Sequence, residues 1–324
     1  MISSSAFGNA HSDLPSHFCY LNGDYTPLNE AKVSVLDRGF IFGDGIYEVL
    51  SVYGGKVFRF AQHMERLERS LKECRMRNPH TRQEWFDIAM KLIAAYAHSA
   101  ALSSQNSTQN TLKSSLSITS TEAPANHLIY LQITRGVALR EHVMPENITP
   151  TAFAMCNLLP APSAAQRSQG VACVTADDFR WDKAHIKSTS LLGSVFARQI
   201  SFDAGANETV MFRDGFLSEA AHSNVWVVKN GEVLGTPKDN LVLEGIRYGL
   251  IEDICRQSGI SFTLRRLSRE EVLTCDELIL SSATKEVLPV TTLDGAPVGS
   301  GQPGAIYQKL YAGYQAEKQQ QRHD

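Results

Sequence analysis

Along this chain of 324 residues the spacing of apolar positions changes repeatedly, and each change predicts an element. In HFCYLNGDYTP two short strand-like runs flank Asn22–Gly23, a pair suited to a tight hairpin turn. IYEVLSVYGGKVFRF repeats the arrangement around Gly54–Gly55. The period then lengthens. Met64, Leu67 and Leu71 share one face of a predicted helix, and WFDIAMKLIAAYA predicts a second. Residues 102–126 are rich in Ser, Thr, Asn and Gln and have almost no apolar period, so they are expected to form a surface loop without order. HLIYLQITRG and TAFAMCNLL return to strand character. Pro160 and Pro162 interrupt the pattern near the middle and mark the expected domain boundary.

Past that boundary GVACVTADDF predicts a strand. STSLLGSVFARQISFDAG predicts a helix with Leu191, Leu192, Val195 and Phe196 facing inward and Gly205 closing it. ETVMFRDGFLSEAAHSNVWVVKNGEVLGTP reads as a three-strand meander punctuated by Asp214–Gly215 and Asn230–Gly231. LEGIRYGLIEDICRQSG is a helix ending at Gly259, and Ser268 with Glu271 forms a capping box for a short one. ELILSSAT and LPVTTLDG are strands, and AIYQKLYAGYQ is a terminal helix. Strands and helices mix without a strict βαβ rhythm, which predicts two α+β domains rather than a doubly wound sheet.

This division gives a flexible tail at 1–16, a small domain at 17–158 carrying the 102–126 insertion, a linker at 159–163 and a large domain at 164–324. The first residues lack the basic and apolar regions of a secretory signal, so a tail is the expected reading. A net charge of -3 carries no electrostatic footprint for a nucleic acid, and no apolar run is long enough to span a membrane. The six cysteines are scattered, with no CxxC and no metal-ligand spacing. They are expected to be reduced thiols in a cytoplasmic protein that holds no metal.

The most informative pair is Lys187, in WDKAHIKSTSLL, and Glu219, thirty-two positions later in FLSEAAHSNV. An amine at the start of a helical pattern is suited to hold an aldehyde cofactor as a Schiff base, and a carboxylate on a nearby strand to keep that cofactor's ring nitrogen protonated. Ile186, Leu191 and Leu192 supply apolar flanks for the amine. Taken singly, a lysine is more often surface charge and a strand-end carboxylate often merely closes a turn.

DKAHIKSTSLLG resembles the Schiff-base lysine segment of the class IV pyridoxal-phosphate enzymes, the branched-chain and D-amino-acid aminotransferase family. The likeness runs from about Phe18 to Tyr314. It implies the two-domain fold type IV architecture, α+β, with pyridoxal 5′-phosphate between the domains. Lys187 takes the catalytic position and Lys183 falls outside it. Ser223 and Asn224 match the Ser-Asn pair after the family's glutamate, whereas Ala221 and His222 depart from the usual small hydroxyl residues. Arg66, in QHMERLERS, matches the family's phosphate arginine, while Arg69 and Arg75 read as solvated. A helix starting near Gly245–Ile246 would offer N–H groups to the phosphate dianion. Arg247 stands where the family usually has Thr. Thr284 offers a hydroxyl, Ala283 replaces a residue that is often hydroxylated, and Leu243 would pack on the cofactor ring.

Tyr47, in FGDGIYEV, with Arg140 and His142, in ITRGVALREHVMP, resembles the carboxylate trap of the D-amino-acid aminotransferases. Period two puts Arg140 and His142 on one face of an extended segment. In the family this pair reaches the neighbouring subunit's site, which implies a homodimer with shared active sites; Arg135 is structural in the resemblance. The implied activity is transamination between a D-amino acid, D-alanine first, and a 2-oxo acid such as 2-oxoglutarate. The alternatives are a branched-chain aminotransferase, an (R)-amine transaminase or an aminodeoxychorismate lyase. From another class comes an inactive small-molecule-binding homologue.

Overall fold

The computed structural model describes residues 17–109 and 126–323. The expected tail at 1–16 and most of the expected loop, residues 110–125, lie outside the described residues. Strands β1 (Phe18–Leu21) and β2 (Asp24–Pro27) form the first hairpin, and the short helix α1 (Arg38–Phe42) follows. The second hairpin joins β3 (Gly45–Tyr53) to β4 (Lys56–Val57). Both central residues of each turn have positive φ, Asn22 and Gly23 at 52° and 108° and Gly54 and Gly55 at 59° and 81°. That is the backbone of the tight hairpin turns their sequences predict. Strands β5 (His127–Thr134) and β6 (Thr151–Leu158) complete a six-stranded sheet in the order β2-β1-β6-β5-β3-β4.

Helix α2 (Phe60–Glu73) lies against β3 and buries His63, Met64, Arg66, Leu67, Ser70 and Leu71, one face at helical spacing. Helix α3 (Arg82–Gln109) buries Trp85, Ile88, Ala89, Leu92 and Ile93. It continues to Gln109, so residues 102–109 of the expected loop are helical. Ser, Asn and Gln cost a helix only a fraction of a kcal/mol each, and a turn already formed propagates through them.

After α4 (Ala164–Gln169) the second half opens with β7 (Val171–Asp177) and α5 (Leu192–Asp203). The stretch expected as a three-strand meander forms four strands: β8 (Glu208–Arg213), β9 (Phe216–Ala220), β10 (Asn224–Lys229) and β11 (Glu232–Gly235). Then come α6 (Arg247–Gln257), β12 (Phe262–Leu264), α7 (Arg269–Leu273), β13 (Glu277–Ser282), β14 (Glu286–Leu293), β15 (Ala296–Pro297) and α8 (Ala305–His323). The nine-stranded sheet runs β12-β11-β10-β13-β14-β7-β8-β9, with β15 on β14. The hairpins β8–β9 and β10–β11 are therefore not neighbours in one meander, because β13, β14 and β7 pair between them. Asp214–Gly215 and Asn230–Gly231 dictate each hairpin locally, but strands distant in sequence decide what lies beside it. The break between the hairpins, at Ala221–Ser223, leaves that stretch for the site.

Helix α5 corrects a second expectation. Leu192, Val195 and Phe196 are not inward: Leu192 is 68% exposed and the other two 58%. The buried face is Ala197 and Ser201, and Thr209 Oγ1 on β8 donates to the Ala197 carbonyl at 2.6 Å. Small residues allow the helix to sit close on the sheet, which leaves the large apolar ones outside. Gly205, left-handed at φ 67°, follows the last turn.

The cores of the two halves interpenetrate. Ile186 packs with the first sheet and α2, whereas Tyr53 and Phe58 pack among Trp226, Tyr248 and Tyr314 of the second half. Ser268 and Glu271 make their reciprocal cap at the start of α7.

Candidate active site

A cavity of about 1040 Å³ opens where the halves meet. Tyr47 and Arg66 line it from the first half, and Lys187, Glu219, Asn224 and Thr284 from the second.

Lys187 is not at a helix start. It lies on an extended segment that crosses to β3, where the Tyr47 N–H donates to the Lys187 carbonyl at 3.0 Å and Ser188 bridges Ile46. Helix α5 begins five residues later. This pairing brings a second-half lysine onto the edge of the first sheet. Its Nζ stands 4.0 Å from the centre of the Tyr47 ring, within cation–π range. Tyr47 in turn stacks on Tyr130. Lys183 is exposed and does not line the cavity.

Glu219, on β9, is only 6% exposed. Its Oε1 accepts from Arg180 Nη1 at 2.6 Å, and its Oε2 accepts from Asn224 Nδ2 and the Leu243 N–H, both at 3.3 Å. Burial pushes this carboxyl up from its ordinary value, and Arg180 opposes the shift without cancelling it. Asn224 also donates to the Leu243 carbonyl at 2.9 Å. It sits so close to Gly245 that a Cβ there would meet Asn224 Oδ1 at 2.1 Å. Gly245 is therefore required by packing against Asn224.

Arg66 reaches the cavity from the buried face of α2. Its Nε and Nη2 each donate at 2.8 Å to Glu48 on β3, and Nη1 donates to the Glu244 carbonyl at 3.2 Å. His63 Nδ1 shares the same carboxylate at 2.7 Å. Although burial alone would raise it, Glu48 is held well below the usual carboxylate range by Arg66 and His63. Arg69 and Arg75 are exposed, with Arg69 near Glu244.

Ile246 precedes α6 and Arg247 opens it. Arg247 is 2% exposed, and its guanidinium is occupied by Ser51 Oγ at 2.9 Å and the Tyr314 hydroxyl at 3.1–3.2 Å. Leu243, Gly245, Ile246, Ala283 and Thr284 all line the cavity. Ser223 lines it too, but its hydroxyl donates to Glu208 Oε2 at 3.0 Å and accepts from Lys285. His222 joins Glu208 and Lys285 in the same cluster.

Arg140 and His142 are not brought to the cavity of their own chain. They sit side by side against the Phe42 ring, at 5.5 and 5.4 Å, on an exposed loop, so the trio with Tyr47 is not assembled within one chain. Arg135 is buried and clamps Asp44 through Nε and Nη2 at 2.7 and 3.0 Å.

Arg180 escaped the sequence reading. The signal was Asp178-Phe179-Arg180, where period two puts the two charges on one side of an extended segment just upstream of Lys187. Glu48 and His63 also went unremarked, since nothing local distinguishes a buried partner of Arg66 from an ordinary strand glutamate.

Residues 45–293 match the family model for amino-transferase class IV. The chain is 33% identical over 296 residues to a D-alanine aminotransferase of Staphylococcus haemolyticus, covering 91% of this chain and 95% of the relative. It is 33% identical to the D-alanine aminotransferase of Bacillus licheniformis, covering 91% and 94%. In fold it is similar to the T.th. branched-chain amino acid aminotransferase with pyridoxamine 5′-phosphate, at TM-score 0.79 and 20% identity, covering 93% and 94%. The Escherichia coli branched-chain enzyme gives TM-score 0.76 at 22% identity, covering 91% and 92%.

Proposed function

The chain belongs to the class IV aminotransferase family, and we propose that it moves an amino group between a D-amino acid, D-alanine first, and a 2-oxo acid such as 2-oxoglutarate. Enzymes of this family work with pyridoxal 5′-phosphate, which supplies an aldehyde for the amine and a ring that draws electrons from the substrate Cα. The donor set fits that group: a lysine amine, a buried carboxylate and a guanidinium beside a helix start line one cavity.

In this reading Lys187 Nζ would hold the cofactor's aldehyde and would serve as the base that takes the proton from the substrate Cα. Glu219, oriented by Asn224 and the Leu243 N–H, would keep a proton on the ring nitrogen. Arg66, held in place by Glu48, meets the phosphate together with the backbone at Gly245–Ile246 and the Thr284 hydroxyl. Leu243 would pack on the ring, and Ala283 and Ser223 line the same cavity. Arg247 lines the cavity and ties β3 to α8, with Nε and Nη2 engaged by Ser51 and Tyr314.

Tyr47 meets the substrate carboxylate from its own chain, and Arg140 and His142 reach the neighbour's cavity in a homodimer. The exposed apolar residues Leu139 and Val143 flanking that pair, with Leu192, Val195 and Phe202 on α5, support a covered face. Six free cysteines support a reducing compartment, the cytoplasm.

The observation that carries the reading is the meeting of Lys187 and Glu219 in one cavity, across two segments distant in sequence. The test is a profile of D- and L-amino acids against 2-oxoglutarate with added pyridoxal phosphate. D-alanine turnover is the expected result. Preference for L-leucine would replace the D-specific reading with the branched-chain one, and a protein that acquires no borohydride-sensitive colour would be a non-catalytic binder.

A further inference from the structure

We propose that Asp178 and Arg180 are positioning residues that set how much negative charge Glu219 presents to the ring nitrogen of the bound cofactor. The inference rests on the role given to Glu219 above and adds two residues to it.

The geometry is that of one guanidinium divided between two carboxylates. Arg180 Nε and Nη2 donate to Asp178 at 2.9 and 2.8 Å, and the Arg180 N–H donates to Asp178 Oδ1 at 3.1 Å. Only Nη1 is left for Glu219, at 2.6 Å. The Asp178 side chain is fully buried, and those of Arg180 and Glu219 are nearly so. The second cation on Asp178 is Arg213, at 3.3 Å, itself paired with the exposed Asp182.

This division has an electrostatic consequence. A buried glutamate without a cation would take up a proton, and one facing a guanidinium of its own would be neutralised and have little charge left for a ligand. Asp178 takes the two-pronged edge of Arg180, so Glu219 receives a single guanidinium donor. That opposes protonation of Glu219 without saturating its oxygens. A carboxylate has about four acceptor sites. Arg180 fills one on Oε1, and Asn224 with the Leu243 N–H takes up Oε2. Acceptor capacity therefore remains on Oε1 for a protonated ring nitrogen. Asp178 follows directly on β7, where its N–H donates to the Phe212 carbonyl at 2.7 Å, so the device is anchored in the second sheet.

The experiment compares the affinity of cofactor-free protein for pyridoxal 5′-phosphate and for its analogue with C–H in place of the ring nitrogen, in wild type, Asp178→Asn, Arg180→Lys and Arg180→Met. Wild type should prefer the nitrogen-bearing cofactor by about tenfold or more, the worth of one charge-assisted hydrogen bond. In Asp178→Asn, Arg180 is freed to neutralise Glu219, and in Arg180→Met, Glu219 protonates; both should lose most of that preference while binding the analogue as wild type does. Arg180→Lys keeps the charge and should retain part of it. Variants that weaken both ligands equally, or that keep the full preference, would overturn the proposal while leaving the role of Glu219 standing. A wild type with no preference would remove the Glu219 role and this proposal with it. A wild type that binds neither ligand would instead fail the proposed function.

Discussion

Lys187 and Tyr47 are joined twice: the backbone N–H of Tyr47 donates to the Lys187 carbonyl, and the Lys187 ammonium lies over the Tyr47 ring. A residue of the second half is thus registered against β3 of the first. Any ligand bonded to that amine is held against the wall that carries Tyr47 and Arg66.

Replacing Lys187 by Ala should abolish transamination and leave the fold intact, since the half-buried side chain makes no buried polar contact that the fold depends on. Borohydride reduction of the loaded protein followed by peptide mapping should place the label on Lys187. A label on the exposed Lys183 would sink the assignment.

Glu219→Gln should leave the cofactor bound through the Arg66 end of the cavity but slow removal of the Cα proton by about a hundredfold or more, the usual cost of losing a preorganised charge at a reacting system. Rapid-mixing single turnovers would measure it. An unchanged rate would make Glu219 a structural partner of Arg180 only.

Arg140→Met should depress D-alanine turnover by roughly 2–5 kcal/mol of transition-state binding if the arginine meets the carboxylate in a buried setting. Turnover of (R)-1-phenylethylamine, which has no carboxylate, should change far less. Equal losses on both amines would mean that Arg140 is structural, and sedimentation of wild type and variant would show whether its loop holds an assembly together.

His63 makes the fold acid-sensitive. Burial pushes its imidazole down to about 4 from 6.5, against the pull of Glu48. The unfolded chain therefore takes up this proton at higher pH than the folded one. The site costs nothing above pH 6.5, and stability falls as the pH drops from 6.5 toward 4, by up to about 3 kcal/mol. Urea midpoints measured across that window should fall more steeply for wild type than for His63→Gln. Parallel curves would show that His63 titrates alike in both states.

The elements with local causes were readable in the chain. Asn22–Gly23, Gly54–Gly55, Asp214–Gly215 and Asn230–Gly231 all sit in the tight turns their backbones favour, and Ser268 with Glu271 caps α7. The alternation of apolar residues marked β5, β6 and β7. Helix α5 misled because Leu192, Val195 and Phe196 have the spacing of a core face, and spacing does not say which side of a helix meets a sheet.

Lys187 and Glu219 stand out by residue type and local pattern, Arg66 and Tyr47 only by the resemblance to the class IV family, and the last three lie outside the Lys187 segment. Their meeting in one cavity is a tertiary fact. It depends on the 186–190 segment pairing with β3, and on β13, β14 and β7 entering between two hairpins that are adjacent in sequence. The same holds for the partners that tune the charges. Glu48 under Arg66 and Asp178 beside Arg180 look like ordinary strand and loop carboxylates until the fold buries them. Sequence alone carries turns, caps and amphipathic faces, because these act within a few residues. Strand order, the burial of charge and the sharing of one guanidinium between two carboxylates arise from contacts across the whole chain, and only the assembled structure decides them.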